Sequence, residues 1–583
     1  MKNFLKMLLA SFLGALVAVG ICALLFFGAI TAMMSFGDEP IQVKKNSILK
    51  VTFDTPVVDF SNASNIDLLT MSVQSSNSLF KVLRAIEHAA IDPNIKGIYM
   101  DLSRMSTSLT AAEEIRRALE DFKSTGKFII SYADNYSQGS YYFATIADKV
   151  YLNPYGIALL TGFSPQVMIF TKTLEKLGIE MQVTRHGKFK SAVEPFLNKE
   201  ISPENREQIL AYTGSIWSFM VEEISKSRDI SVEELNRIID NVLSRNATAA
   251  IEHKLVDGIM YKDEVISELC RLMDVESEQK LNVVYFSDYM SLAQKVSRSQ
   301  DRIAVVYASG EIIMGESSTE VSSEYISKAI KRARHDKQVK AIVFRVDSPG
   351  GDAQAAEIIA RELELAAKEK PVVVSMGSLA ASGGYWISTP ASVILANHTT
   401  LTGSIGVFGM IPNIQKGMEK YTGIRVDAVN TNKNSDFLTS VYRPLNSTEK
   451  EFLQEMVEDI YDKFITKVSN SRSMSKEAVD NIGQGRVWSG VNAYENGLID
   501  EFGGLREAIA VAADRAGLSD YRIVELPIKK SMLDELMNTI LNAEASTPLN
   551  KELIKVLGKY KYLLNSIAHP GIKARMEYDI ALL

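Results

Sequence analysis

Two glycine-rich loops in the second half of the chain hold residue types that acyl-transfer chemistry requires. One reads Asp347-Ser348-Pro349-Gly350-Gly351-Asp352, the other Gly377-Ser378-Leu379-Ala380-Ala381-Ser382-Gly383-Gly384-Tyr385-Trp386. Small residues around Ser382 leave its hydroxyl exposed at an expected strand-to-helix turn, the setting of a nucleophile; a serine there otherwise caps the helix. A Gly-Gly pair ahead of a helix lets backbone N–H groups turn toward a ligand with no Cβ in the way, which is how an oxyanion hole is made. A tight turn is the plain alternative. Other chemistries find less support. His398 opens a loop after a strand with no Asp placed to orient it, and His186 stands alone, so both read as structural. Ser124-Thr125-Gly126-Lys127 and Ser473-Met474-Ser475-Lys476 fit Ser-x-x-Lys only literally, in polar turns. Gly403, Gly406 and Gly409 do not have dinucleotide spacing, and there is no His-Glu-x-x-His, paired cysteine or Walker sequence. Neither a metal nor another cofactor is indicated.

Loops of this kind must be presented by strand ends. The apolar runs Ile303–Tyr307, Ala341–Val346, Val372–Ser375 and Val393–Ala396 are too continuous for a sheet with one wet face. Helical patterns such as Ala355–Lys368 separate them, the signature of a largely parallel α/β sheet with covering helices.

The first half repeats this plan at an offset of 244 residues. Lys96-Gly97-Ile98-Tyr99-Met100 lies on Lys340-Ala341-Ile342-Val343-Phe344, Ala111-Ala112-Glu113 on Ala355-Ala356-Glu357, Gly139-Ser140-Tyr141-Tyr142 on Gly383-Gly384-Tyr385-Trp386, and Asn153 on Asn397. A one-residue insertion is then expected, bringing Ser202 onto Ser447 at helix starts. The expected organisation is an N-terminal anchor and linker over 1–46, a first repeat over 47–299, a second over 300–540 and a tail over 541–583.

Composition bounds the rest. A chain of 583 residues with 46% apolar and 23% charged residues and only 15 prolines is folded and multidomain. Its net charge of -7, with no basic stripe interleaved with aromatics, argues against nucleic acid as a partner. Two cysteines, Cys22 and Cys270, exclude a disulfide framework. Met7–Gly37 carries no charge, long enough to cross a bilayer and too long for a cleavable signal peptide. Lys2 and Lys6 before it, with Asp38 and Glu39 after it, predict a single-pass anchor with the body outside the cytoplasm.

Taken together, the Ser-Pro-Gly-Gly loop, the Ala-Ser-Gly-Gly-Tyr loop and Leu401-Thr402-Gly403-Ser404-Ile405-Gly406-Val407 resemble the signal peptide peptidase A (protease IV) family. In the first half, Gly187-Lys188-Phe189-Lys190-Ser191-Ala192-Val193-Glu194-Pro195-Phe196 is similar to that family's lysine motif, and the resemblance reaches Ala574–Ile580. It implies tandem crotonase/Clp-protease-like domains, a Ser-Lys dyad of Ser382 and Lys190, a homotetramer on the bacterial inner membrane, and signal peptides as substrates.

The duplication tests the dyad independently. Gln138 lies where the second half has Ser382, Ser106-Thr107 where it has Gly350-Gly351, and Ser435 where the first half has Lys190. Each half lacks what the other retains, as expected of one composite site. Lys188 is the competitor, since on a strand it would share a face with Lys190; family register favours Lys190. A lysine near its reference pKa of about 10.4 cannot accept a proton at neutral pH, but burial lowers it by up to ~3 to 5 units. Phe189, Val193 and Phe196 are the expected apolar walls, with N–H groups of Gly383 and of Gly350 or Gly351 holding the oxyanion. The same fold serves acyl-CoA enzymes, against which the anchor argues, and a noncatalytic scaffold would not need the pair intact.

Overall fold

Continuous burial along short β-rich runs builds two parallel sheets with one strand order. The computed structural model describes residues 42–60, 65–67, 72–74, 76–293, 297–528 and 571–576, with a few positions between 7 and 21. In the first half the neighbours run Asn282–Tyr285, Ser47–Val58, Ile95–Thr107, Phe128–Ala133, Lys149–Leu152 and Gly258–Ile259, all parallel. In the second they run Arg522–Leu526, Arg302–Ser309, Val339–Ser348, Val372–Ala381, Val393–Ala396 and Glu501–Phe502, again all parallel. The expected offset holds for the elements as well: helix Leu109–Ser124 answers Ala353–Ala367, and their N-caps Ser108 and Asp352 each accept from the backbone N–H three residues on. Burying helix and sheet against each other is what makes each half a core; Ile342, Phe344, Val374 and Ile359 are fully buried in one of them.

The expected one-residue insertion does not persist to Ser447, although the left-handed C-cap glycines Gly178 and Gly423 ahead of it are 245 apart. Helices Pro203–Arg228 and Ser447–Arg472 are both 26 residues long and keep the offset of 244, because Asn446, not Ser447, takes the capping place of Ser202. Asn and Ser accept equally well from the N3 N–H, so an alignment by identity shifted the frame.

Two features bind the halves, which belong to one compact unit from Asn46 onward. Glu113 and Glu114, on helix Leu109–Ser124, reach into the second half. Glu114 accepts from Arg345 Nη2 (2.8 Å), Asn397 Nδ2 (2.9 Å) and the Leu505 N–H (2.8 Å), while Glu113 accepts from His398 Nδ1 (2.8 Å) and Thr399 Oγ1 (2.8 Å). Burial opposes ionisation of Glu113, but these donors and Arg117 hold its carboxyl below the usual range. The second feature is a sheet ordered Val321–Ser322, Ile312–Ile313, Gly350–Asp352, Gly571–Arg575, Val407–Asn413, Glu180–His186, in which strands from both halves meet.

The anchor expected over Met7–Gly37, apart from those few positions, and most of the tail 541–583 lie outside the described residues, as does Cys22. Among the described residues, no helix is long and apolar enough to cross a membrane.

Candidate active site

Ser382 sits where strand Val372–Ala381 turns into helix Gly383–Ser388, with φ +57° and ψ −115°. That is strained for a residue with a Cβ, and its hydroxyl caps no helix N–H. The Ser382 N–H is held by the Gly403 carbonyl at 2.8 Å. Contrary to the expected exposure, the Ser382 side chain is fully buried. Its hydroxyl is enclosed by the Lys190 amine and the Gly406 carbonyl, and strand Gly571–Arg575 is laid along the neighbouring glycines.

Lys190 comes from the other half. Strand Glu180–His186 pairs antiparallel with Val407–Asn413, His186 opposite Val407, and so delivers the following turn to the far side of Ser404. Lys190 Nζ lies 2.9 Å from Ser382 Oγ and donates to Ser404 Oγ (2.9 Å) and the Ser404 carbonyl (3.2 Å). Ser404 is itself at φ +48°. Lys190 is fully buried. Of the expected walls, Val193 and Phe196 belong to an apolar cluster with Leu174, Met181, Phe408 and Met410. Two glycines approach Lys190 closely. A Cβ on Gly485 would stand 2.6 Å from Lys190 Cβ, and one on Gly406 would stand 3.2 Å from Lys190 Cδ.

The turn is pinned from several sides. Gln208, on helix Pro203–Arg228, donates to the Phe189 carbonyl (3.1 Å) and Ser191 Oγ (3.0 Å) and accepts from the Val487 N–H (3.1 Å). The Phe189 N–H donates to the Gln484 carbonyl at 3.0 Å. Buried Glu194 accepts from Ser202 Oγ (2.6 Å) and Asn205 Nδ2 (3.1 Å). Lys188 does not share a face with Lys190, because the strand ends at His186 and residues 187–190 form a turn. It is exposed, with its amine over the Phe189 ring.

The glycines converge. Gly350 (φ +93°) and Gly351 (φ +157°) have conformations open to a residue without Cβ, and a Cβ on Gly350 would stand 2.6 Å from the Gly383 nitrogen. Asp347 ties this loop to the one carrying Ser382 by accepting from the Leu379 N–H at 2.9 Å. Desolvation, with Asp59 as a neighbouring charge, pushes the Asp347 carboxyl up to about 7.

The histidines stand apart from this arrangement. His398 is stacked between Phe219 and Phe502 and bound to Glu113; His186 stacks on Tyr461 and meets Glu458 at 2.6 Å. Lys127 donates to the Ala89 and Asp92 carbonyls, and Lys476 is paired with Asp462. Ser404 lies within Leu401–Val407, where sequence alone gives it no role. Nothing local marked Gly485 or Gln208, whose contacts are long-range.

Two α/β repeats that bring a strained serine, a lysine and turned-out glycines to one point define a class of serine peptidase. The chain belongs to Peptidase family S49, whose model matches residues 121–276 and 364–519. It is 37% identical over 500 residues to Protease 4 of Haemophilus influenzae, covering 82% of this chain and 80% of that one. It is 32% identical over 548 residues to the chloroplastic serine protease SPPA of Arabidopsis thaliana, covering 92% of this chain and 78% of the relative. Among solved structures, a ClpP1 mutant from Listeria monocytogenes aligns with a TM-score of 0.25 at 14% identity, over 35% of this chain and 94% of that one. The protein is a serine protease with its domain repeated.

Proposed function

We propose that this serine protease works through a Ser382–Lys190 dyad and degrades cleaved signal peptides and other membrane-derived peptides. The observation that carries the reading is the 2.9 Å approach of Lys190 Nζ to Ser382 Oγ from opposite halves of the chain. Neutral Lys190 takes the hydroxyl proton while Ser382 Oγ bonds to the peptide carbonyl carbon. The oxyanion is held by N–H groups of Gly383 and of Gly350 or Gly351, each worth roughly 2.7 to 4 kcal/mol. The lysine ammonium then protonates the leaving amine as the C–N bond breaks; water, deprotonated by the same amine, bonds to the acyl carbon, and the ammonium returns that proton to Ser382 Oγ as the ester C–O bond breaks. Ser404 orients the amine by accepting from it.

Substrate class, homotetramer and anchorage to the bacterial inner membrane, body outward, rest on kinship and on the uncharged run Met7–Gly37. An alkaline phosphatase fusion after residue 60 is expected to be active. The dyad is tested with a fluorophosphonate probe: Ser382→Ala should abolish labelling and peptide hydrolysis together. Co-expressed Lys190→Ala and Ser382→Ala chains should restore nothing; recovered activity would mean that a neighbouring subunit donates the lysine.

A further inference from the structure

The peptide-binding edge beside Ser382 is already occupied, by this chain. Strand Gly571–Arg575 lies antiparallel to Gly350–Asp352, with Gly351 opposite Ala574, and its other edge is antiparallel to Phe408–Met410, with Phe408 opposite Lys573. The Met576 N–H continues the pairing by donating to the Pro349 carbonyl at 2.6 Å. An extended peptide is commonly captured by adding a strand to an exposed edge, with main-chain hydrogen bonds supplying affinity and alternate side chains specificity. Here that edge is made of the glycines assigned to the oxyanion. The Ala574 carbonyl oxygen would stand 2.2 Å from a Cβ on Gly350 and 2.9 Å from one on Gly383. A substrate's scissile carbonyl has to point at that same spot.

The side chains alternate as they would in a bound peptide. Ala574 and Met576 are buried apolar side chains, whereas Lys573 and the likewise buried Arg575 both turn to Glu311, at 3.8 Å and 3.0 Å. Desolvation lowers the Lys573 pKa, against the pull of Glu311, as expected of a partly buried ammonium.

We propose that Gly571–Met576 is a built-in pseudosubstrate, seated in the peptide slot with Ala574 facing the oxyanion glycines, which incoming peptide must displace. The proposal rests on the dyad reading above. The test compares the rate of fluorophosphonate labelling of Ser382 in the full chain, in a chain ending at Pro570, and in a full-chain Glu311→Lys variant, which repels Lys573 and Arg575 without touching Ser382 or Lys190. Labelling is expected to rise roughly tenfold on truncation and several-fold in Glu311→Lys. A synthetic peptide spanning residues 569–578 should return the truncated chain to the slow rate by competition with a peptide substrate. Should truncation prevent folding, Glu311→Lys still decides. Equal labelling in all three forms, with no inhibition by the peptide, would overturn the pseudosubstrate while leaving the dyad intact. Absence of labelling in every form would instead remove the dyad on which the proposal stands.

Discussion

At an offset of 244, the turn at Ser382 corresponds to the turn at Gln138, and the two are built differently. In the first half Ser137, extended at φ −71°, caps helix Gln138–Ala144 in the ordinary way, and Gln138 is the first helical residue. The Gln138 amide oxygen accepts from the Thr161 and Gly162 N–H groups at 3.1 and 2.8 Å. Those two residues correspond to Ile405 and Gly406 beside Ser382, so the glutamine fills space that stays available for chemistry in the second half. Ser106 and Thr107 lie within strand Ile95–Thr107, where their counterparts are glycines at positive φ. Backbone strain of about 1 to 3 kcal/mol persists only where surrounding structure enforces it. One half keeps the strain and the serine, the other has relaxed, and the relaxed half contributes the buried lysine beside that serine.

The comparison can be broken most directly at the dyad. Ser382→Ala and Lys190→Ala should each reduce peptide hydrolysis more than about 100-fold, and the double variant should be no worse, because members of one unit do not add. Lys190→Arg should be as inactive, since guanidinium does not deprotonate. Gln138→Ser should create no activity of its own. Steady-state kinetics on one peptide would check all four, and a Lys190→Ala enzyme at more than a few per cent of wild type would remove the lysine from the mechanism.

The next contrast is Gly350→Ala against Ser106→Ala. The added methyl at Gly350 meets the Ala574 oxygen and the Gly383 nitrogen in a backbone conformation hostile to Cβ, so kcat/KM should fall by about 100-fold. Ser106→Ala, on an exposed strand end of the relaxed half, should change stability by less than ~0.5 kcal/mol and leave kinetics alone. Comparable losses in both would mean that the first half still takes part in oxyanion binding.

Ser404→Ala removes one hydrogen bond from the Lys190 amine and should lower kcat by about tenfold, as loss of a single bond worth ~1.4 kcal/mol would. An unchanged kcat would leave the Ser404 carbonyl as sufficient to orient the amine.

The last contrast concerns Asp347, whose counterpart in the relaxed half is Ser103. Its carboxyl is raised to about 7 from an ordinary 3.8, so the native state keeps its proton at pH values where the unfolded chain has lost it. Stability from this group therefore falls as pH rises from about 4 to 7 and is level above, a change totalling about 4 kcal/mol. Asp347→Asn keeps an acceptor for the Leu379 N–H and should flatten the dependence of Tm on pH over that window. An unchanged dependence in the variant would show that Asp347 does not set the slope.

Much of the fold was legible because burial writes itself into local pattern. Val393–Ala396 was bounded correctly, and Val372–Ser375 was identified but stops short of the true strand end at Ala381. The missed stretch, Met376 to Ala381, carries small residues and a glycine where apolar continuity breaks, although the backbone stays paired with Val339–Ser348 and Leu401–Gly403. Lys188 and Lys190 would share a face only on a strand, and Gly187, at φ +97°, turns the chain just past the strand end at His186.

By itself the sequence determined which residues remain available for chemistry. Gln138 and Ser382, or Ser106-Thr107 and Gly350-Gly351, are differences of covalent type that no folding can reverse, and duplication made them readable. Only the tertiary structure decided that Lys190 and Ser382, 192 positions apart, lie within 2.9 Å, that Ser404 holds the amine, and that Gly571–Met576 lies across the glycines. Each of those depends on strand pairing between distant segments, Glu180–His186 with Val407–Asn413 and Gly350–Asp352 with Gly571–Arg575. Main-chain hydrogen bonds between strands are nearly independent of side-chain identity, so the pairing leaves little trace in either segment alone.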